Sequence, residues 1–280
     1  MDYNAIPALR ATTIKEIINA SPLVAKYHLD NPDSGDTPSR RFLRSIHSRI
    51  LTPDIFPTEF GIWDVRRDVR QLDYRQFLSD LSGLDVDDRE GLKVVSDSMV
   101  LSASEAAKLD TIARNVMASP VVGPLLSLPG DSEITITWTD PLTGLACKAR
   151  IDRLIHTTGE IVDAKTYRSC AAHTVKRGIT DLLWHVQMAH YRDGVRIALG
   201  EECAAVLAII EQNEPNDCAK FTLSEDVMQA GERARREAME MWARCIDSGI
   251  YPGRYTEPQT IDDLPTYAAG MTEDNDLDTF

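Results

Sequence analysis

Residues 133–165 read EITITWTDPLTGLACKARIDRLIHTTGEIVDAK, three short runs in which apolar and polar side chains alternate with a period of two. That period belongs to a strand, whose successive side chains point to opposite faces, and not to a helix. Asp-Pro-Leu-Thr-Gly and His-Thr-Thr-Gly supply the turns, so the runs predict an antiparallel β-meander. In the first run Ile134, Ile136 and Trp138 share one face, and Glu133, Thr135 and Thr137 the other. In the second, Cys147, Ala149, Ile151 and Ile155 oppose Lys148, Arg150 and Asp152; in the third, Val162 and Ala164 oppose Asp163 and Lys165.

The loop lengths set a register. If residues 156–159 form one loop, Ile155 faces Glu160 and Asp152 faces Asp163. If residues 141–144 form the other, Asp140 faces Leu145 and Glu133 faces Asp152. Three carboxylates then lie in one transverse row, with Lys165 on the same face. Like charges directly opposed across strands are destabilising. Such a row therefore implies a bound cation, unless a one-residue slip sends an acid to the other face. The ligands are all oxygen, which suits a hard dication, Mg²⁺ or Mn²⁺.

Glu133, then Asp152, then Asp163-Ala164-Lys165, then Gln187-x-x-x-Tyr191 resembles the PD-(D/E)XK nucleases, and among them the RecE and lambda exonuclease branch. Residues 14–27 (IKEIINASPLVAKY) resemble that branch's opening helices, and residues 42–53 (FLRSIHSRILTP) its histidine-bearing helix. Tyr251-Pro252 and Leu264-Pro265 resemble its C-terminal end. The resemblance implies an α/β (α+β) fold, a restriction-endonuclease-like core whose central mixed sheet is flanked by helices, with a mainly helical part over residues 1–130. The sheet and its helix would span residues 131–223, and a C-terminal helix 224–250, all in one domain over 1–267.

It also implies a Mg²⁺-dependent exodeoxyribonuclease that degrades the 5′-ended strand of linear duplex DNA and leaves 3′ overhangs for recombination. Closed ring oligomers, trimers or tetramers, and a single-strand annealing protein are the implied partners. In this pattern Asp152 and Asp163 ligate two ions, Glu133 does so directly or through water, and the Ala164 carbonyl contributes. Lys165 holds the attacking water or screens the phosphorane. Gln187 and Tyr191, four apart on one helical face, reach the same point. A different endonuclease on the same core, or a DNA-binding or assembly subunit without catalysis, are the alternative readings.

His47 lies on a helical stripe with Leu43, Ile46 and Ile50. By itself that is a core histidine; by the resemblance it is a metal ligand. Arg66, Arg67, Arg70 and Arg75, with Tyr74 among them, form the densest basic stretch and suit phosphate. A solvated face with Arg–Asp pairs accounts for the same residues. Arg150, on the acids' face of the second run, joins them as a DNA-contact candidate, and His173, His185 and His190 are weaker ones.

A formal charge of −14 opposes tight binding to bulk duplex, because phosphate contacts need a basic surface. Half of that charge lies beyond residue 256, on seven acids with no Lys or Arg, which leaves −7 on residues 1–256 and an acidic tail over 268–280 that reads as disordered. The five cysteines are widely spaced with no CxxC, which predicts reduced thiols and no iron–sulfur cluster. No apolar run suits a signal peptide or membrane span, so the expected location is cytoplasmic, away from membranes.

For the remaining elements, Thr13-x-x-Glu16 reads as a capping box, and Ser21-Pro22 as an N-cap followed by proline. Residues 81–100 read as acidic and irregular. Ser102-x-x-Glu105 caps a helix to about Ala118, and Ser119-Pro120 starts a shorter one. Residues 180–199 read as one amphipathic helix, 204–211 as a buried strand and 219–223 as its partner. Residues 224–248 form a helix with Arg233, Arg235 and Arg236 opposite its apolar side.

Overall fold

The computed structural model describes residues 3–32, 36–65, 67–255 and 257–260. Eight helices and a small parallel strand pair precede the main sheet: α1 (Ala11–Asn19), α2 (Pro22–Asp30), α3 (Pro38–Leu51), α4 (Phe56–Glu59), β1 (Gly61–Ile62), α5 (Leu72–Ser82), α6 (Arg89–Met99), β2 (Val100–Leu101), α7 (Ala103–Ala118) and α8 (Gly123–Ser127). The sheet follows as β3 (Asp131–Thr139), β4 (Ala146–Ile155) and β5 (Glu160–Tyr167). Next come α9 (Ala172–Asp181), α10 (Trp184–Leu199), β6 (Ala204–Glu211), β7 (Cys218–Thr222) and α11 (Glu225–Ser248). Among the described residues no helix is long and apolar enough to cross a membrane.

The five strands run in the order β3-β4-β5-β6-β7, with β5 and β6 parallel and the other pairs antiparallel. The meander has the register counted from its loops: Ile155 pairs with Glu160, and the Asp140 N–H donates to the Leu145 carbonyl at 2.9 Å. The parallel β5–β6 pair needs a crossover, which α9 and α10 supply. β6 is apolar on both sides because both of its faces are covered. Ala205, Leu207 and Ile209 join Ile14, Val186 and Met239 of α1, α10 and α11, whereas Val206, Ala208 and Ile210 join Ile46, Ile112 and Val116 of α3 and α7. This is the mixed sheet with helices on both faces that the sequence predicts.

Local signals hold at several ends. Ser21 Oγ accepts from the Val24 N–H, Ser102 and Glu105 form a reciprocal capping box, and Gly249 closes α11 in the left-handed region. Four expectations fail. α1 begins at Ala11, two residues before Thr13, so Thr13 is a buried mid-helix residue and no capping box forms there. Residues 81–100 are not irregular: Asp88 caps α6, whose Leu92 and Val95 pack on Tyr74 and Leu78 of α5 in a small third core. The helix expected over 180–199 is two, parted at Leu183, whose φ of 52° is left-handed. The break turns Trp184 onto Gly178, where a Cβ would stand 2.5 Å from the indole. Burial of Val186, Met188 and Val195 offsets the uncapped start, each burial contributing about 1.5–3 kcal/mol. Finally, Arg235 does not lie opposite the apolar side of α11. It is fully buried, 2.8 Å from Asp193 Oδ2 of α10. The acidic tail over 268–280 lies outside the described residues.

His190 is not a DNA-contact candidate either. It is wholly buried on α10, with Nε2 3.1 Å from the Lys148 carbonyl and its ring 4.7 Å from that of Trp138. Burial, and then the neighbouring Arg235 charge, push its pKa down to about 3. The folded state thus refuses a proton that the unfolded chain accepts below pH ~6.5. Stability from this group is complete above that pH and falls as the pH drops toward 3, by about 2 kcal/mol at pH 5. Urea melts at pH 7 and pH 5 check this: the loss on acidification is expected to be larger in the wild type than in His190→Gln by that amount.

Candidate active site

The β4–β5 ladder ends at Arg153↔Val162, one step short of the two aspartates. There the strands part, and the Ala164 N–H donates to Asp152 Oδ2 at 2.8 Å, so a carboxylate takes the place of a strand carbonyl. The β3–β4 register is continuous on both sides of Glu133 and Asp152, yet those two residues do not pair. Glu133 has a φ of 53°, a left-handed conformation that costs a non-glycine residue on the order of 1 kcal/mol or more. The irregularity sits where three acids meet in one row.

Their charges interact. Burial, then Asp163, raise the Asp152 pKa well above the usual carboxylate range. Burial, then Asp152, raise Glu133 to about 7, with Glu59 of α4 adding to the effect. Asp163 is 1% exposed. Its Oδ1 accepts from Gln187 Nε2 at 2.8 Å, and Lys165 Nζ lies 2.6 Å from Oδ2. Beyond that ion pair, no described residue donates a hydrogen bond to Oδ2. A buried carboxylate oxygen held by an ammonium group alone keeps a lone pair on which a metal cation fits.

Helices α10 and α3 close on this point. From α10, Gln187 bridges Asp163 and the Tyr191 hydroxyl, its Nε2 donating to both. Burial, then Asp163, raise the Tyr191 pKa well above 10, so the group stays a phenol. From α3, His47 Nδ1 lies 3.7 Å from Asp152 Oδ2 with the ring partly exposed; it faces the acids rather than the core. Ala164 is fully buried and meets the site through its N–H. Among the described residues, no group of three or more His, Cys, Asp and Glu side chains is drawn together closely enough to hold a metal ion. The acids surround an ion position without being closed around it.

Beside Glu133 opens a cleft of about 570 Å³, lined by Arg44, His47, Phe60, Glu133 and Arg150 among others. Arg150 is exposed there, 3.9 Å from Glu133 Oε2 and stacked over Tyr3. The arginine stretch does not converge on it. Arg75 is buried, and its guanidinium donates to the Val69, Arg70 and Val86 carbonyls, so it staples the chain around α5 and is unavailable to phosphate. Arg70 pairs with Asp68 and Arg67 with Glu105, and Arg66 lies outside the described residues. His185 is turned to the Ile179 carbonyl.

Sequence reasoning missed Lys15 on α1. Its Nζ donates to Gln187 Oε1 at 3.1 Å, across 172 residues of chain. The only local signal was a lysine on an otherwise half-apolar helical turn, which by itself says nothing.

A family model for a PDDEXK-like domain of unknown function (DUF3799) matches residues 89–261, more than half of the chain and all of the sheet. The chain therefore belongs to this PDDEXK-like family, within the PD-(D/E)XK nuclease superfamily. Among solved structures it is similar to a "Putative exonuclease" from Eubacterium rectale, at 14% identity and a TM-score of 0.44, covering 76% of this chain and 82% of that one. SSO0001 is similar at 14% identity and a TM-score of 0.29, over 76% of this chain and 98% of that one. No curated protein matches.

Proposed function

We propose that this protein is a divalent-metal-dependent exodeoxyribonuclease acting on the ends of linear duplex DNA. The observation that carries the reading is Asp163: buried, in line with Asp152 and Glu133, with one oxygen free of hydrogen bonds and a lysine beside it. Asp152, Asp163, the Ala164 carbonyl and His47 would hold Mg²⁺ or Mn²⁺. Two such ions, when bound, lower the pKa of the attacking water and stabilise the leaving oxygen.

The chain's own residues do the remainder. Gln187 locks the Asp163 carboxylate by donating to Oδ1. Tyr191, held as a phenol and accepting from Gln187, has its own proton free to donate to a phosphate oxygen. Lys165 holds the attacking water against phosphorus. Glu133, in the row beside Asp152, is placed to take the water's proton. The water oxygen bonds to phosphorus and the P–O3′ bond breaks; the departing O3′ takes a proton from solvent, leaving a 3′ hydroxyl and a 5′ phosphate.

Attack on the 5′-ended strand, release of 3′ overhangs, a trimeric or tetrameric ring and hand-over to an annealing protein follow from the resemblance to the RecE and lambda exonuclease branch. A ring suits the charge, because encirclement holds DNA without a strongly basic surface. The test is digestion of linear and covalently closed duplex with Mg²⁺. Loss of the linear form alone, with 5′ mononucleotides released, is expected. Cutting of the closed circle identifies an endonuclease, and no cutting of either a non-catalytic DNA-binding subunit; either result overturns the exonuclease reading.

A further inference from the structure

The Gln187 side chain is surrounded more richly than a positioning amide needs. Both protons of its NH₂ group are used, on Asp163 and on Tyr191. Its carbonyl oxygen meets two ammonium groups, Lys15 Nζ at 3.1 Å and Lys165 Nζ at 3.4 Å. Lys165 has the Asp163 carboxylate at 2.6 Å. Lys15 donates instead to the neutral amide oxygen, although its ammonium feels the Asp163 charge through space. Two cations drawn to one neutral oxygen repel each other, and burial adds to the cost; both effects, burial first, bring Lys15 down to about 8. Its position is rigid. Ile14 and Ile17, on either side of it in α1, are buried in the same core as Val186 and Met188 of α10.

We propose that Lys15 is a catalytic residue: it binds a non-bridging oxygen of the scissile phosphate, beside the water-holding Lys165, where both ammonium groups now converge on the Gln187 carbonyl. This rests on the nuclease reading above and adds to it a second cation supplied by α1. An anion there removes the repulsion between the two lysines. Charge that grows on phosphorus-bound oxygen in the transition state meets a fixed positive group, an interaction stronger than in the ground state. The lysine approaches from the face opposite His47 and Glu59, since α1 packs with α10 and α11 while α3 and α4 border the other core.

The test is single-turnover digestion of a linear duplex with saturating protein and Mg²⁺, for wild type, Lys15→Gln and Lys15→Arg, with thermal melts alongside. Lys15→Gln keeps a hydrogen-bond donor on a side chain one bond shorter and removes the charge. The expected result is a rate constant lowered on the order of 100-fold in Lys15→Gln, with half-saturating DNA and Tm little changed and at least partial recovery in Lys15→Arg. A wild-type rate in Lys15→Gln overturns the proposal, and so does a change confined to half-saturation, which makes Lys15 a ground-state DNA contact. Equal losses in both variants with a lowered Tm make it structural and also overturn it. Absence of digestion by the wild type is a separate outcome: the nuclease reading itself then falls, and this proposal with it.

Discussion

Asp163→Asn is expected to reduce nuclease activity on the order of 10³-fold or more while leaving the protein folded. Asparagine has nearly the same shape, and its Oδ1 still accepts from Gln187 Nε2, as the carboxylate does at 2.8 Å. The change removes the negative charge and replaces Oδ2, the oxygen paired with Lys165 and proposed to meet the cation, with an NH₂ group. It also relieves the Asp152 carboxyl of the neighbour that, after burial, contributes most to raising its pKa. A functional site of this kind is built against local stability, so loss of activity without loss of Tm is the signature to look for. Kinetics on linear duplex and a thermal melt of the same preparation check it. Activity within tenfold of the wild type removes Asp163 from the mechanism.

Arg235→Ala is expected to cost about 3–5 kcal/mol of stability, and with it roughly 10 °C of Tm, without touching the chemistry directly. The guanidinium is fully buried between α10 and α11, with Nη2 2.8 Å from Asp193 Oδ2. Truncation opens a cavity and leaves a buried carboxylate paired with Arg196 from the solvent side. The paired change Arg235→Met with Asp193→Asn removes both charges and is expected to recover a large part of the loss, because an uncharged pair of similar volume escapes the desolvation penalty of buried ions. Urea melts of the single and double variants measure the difference. Equal destabilisation in both would assign the effect to packing alone.

How much of this was legible before the fold was known depends on how local each signal was. The meander register followed from two four-residue loops and the period-two alternation, and β6 from an unbroken apolar run. The acids came into view because strand pairing carries them across short, countable distances. α6 was hidden because its acidic flanks resemble a solvated loop, although Leu92 and Val95 are at helical spacing. The break at Leu183 has no sequence signal, since a leucine adopts a left-handed conformation there only because Trp184 is accommodated against Gly178. Arg75 resembled a phosphate ligand because its real acceptors are backbone carbonyls, which no pattern of side chains displays. Arg235 and Lys15 depend on partners 42 and 172 residues away, and a helical wheel cannot show them.

The central claim is that Asp152 and Asp163, each oriented by a hydrogen bond to one of its oxygens, share a dication. Anomalous difference density from a crystal soaked in Mn²⁺ tests it most directly. The account predicts a peak within bonding distance of Asp163 Oδ2 and an Asp152 oxygen, absent in Asp163→Asn. A peak elsewhere, or none at a concentration that supports digestion, would contradict it.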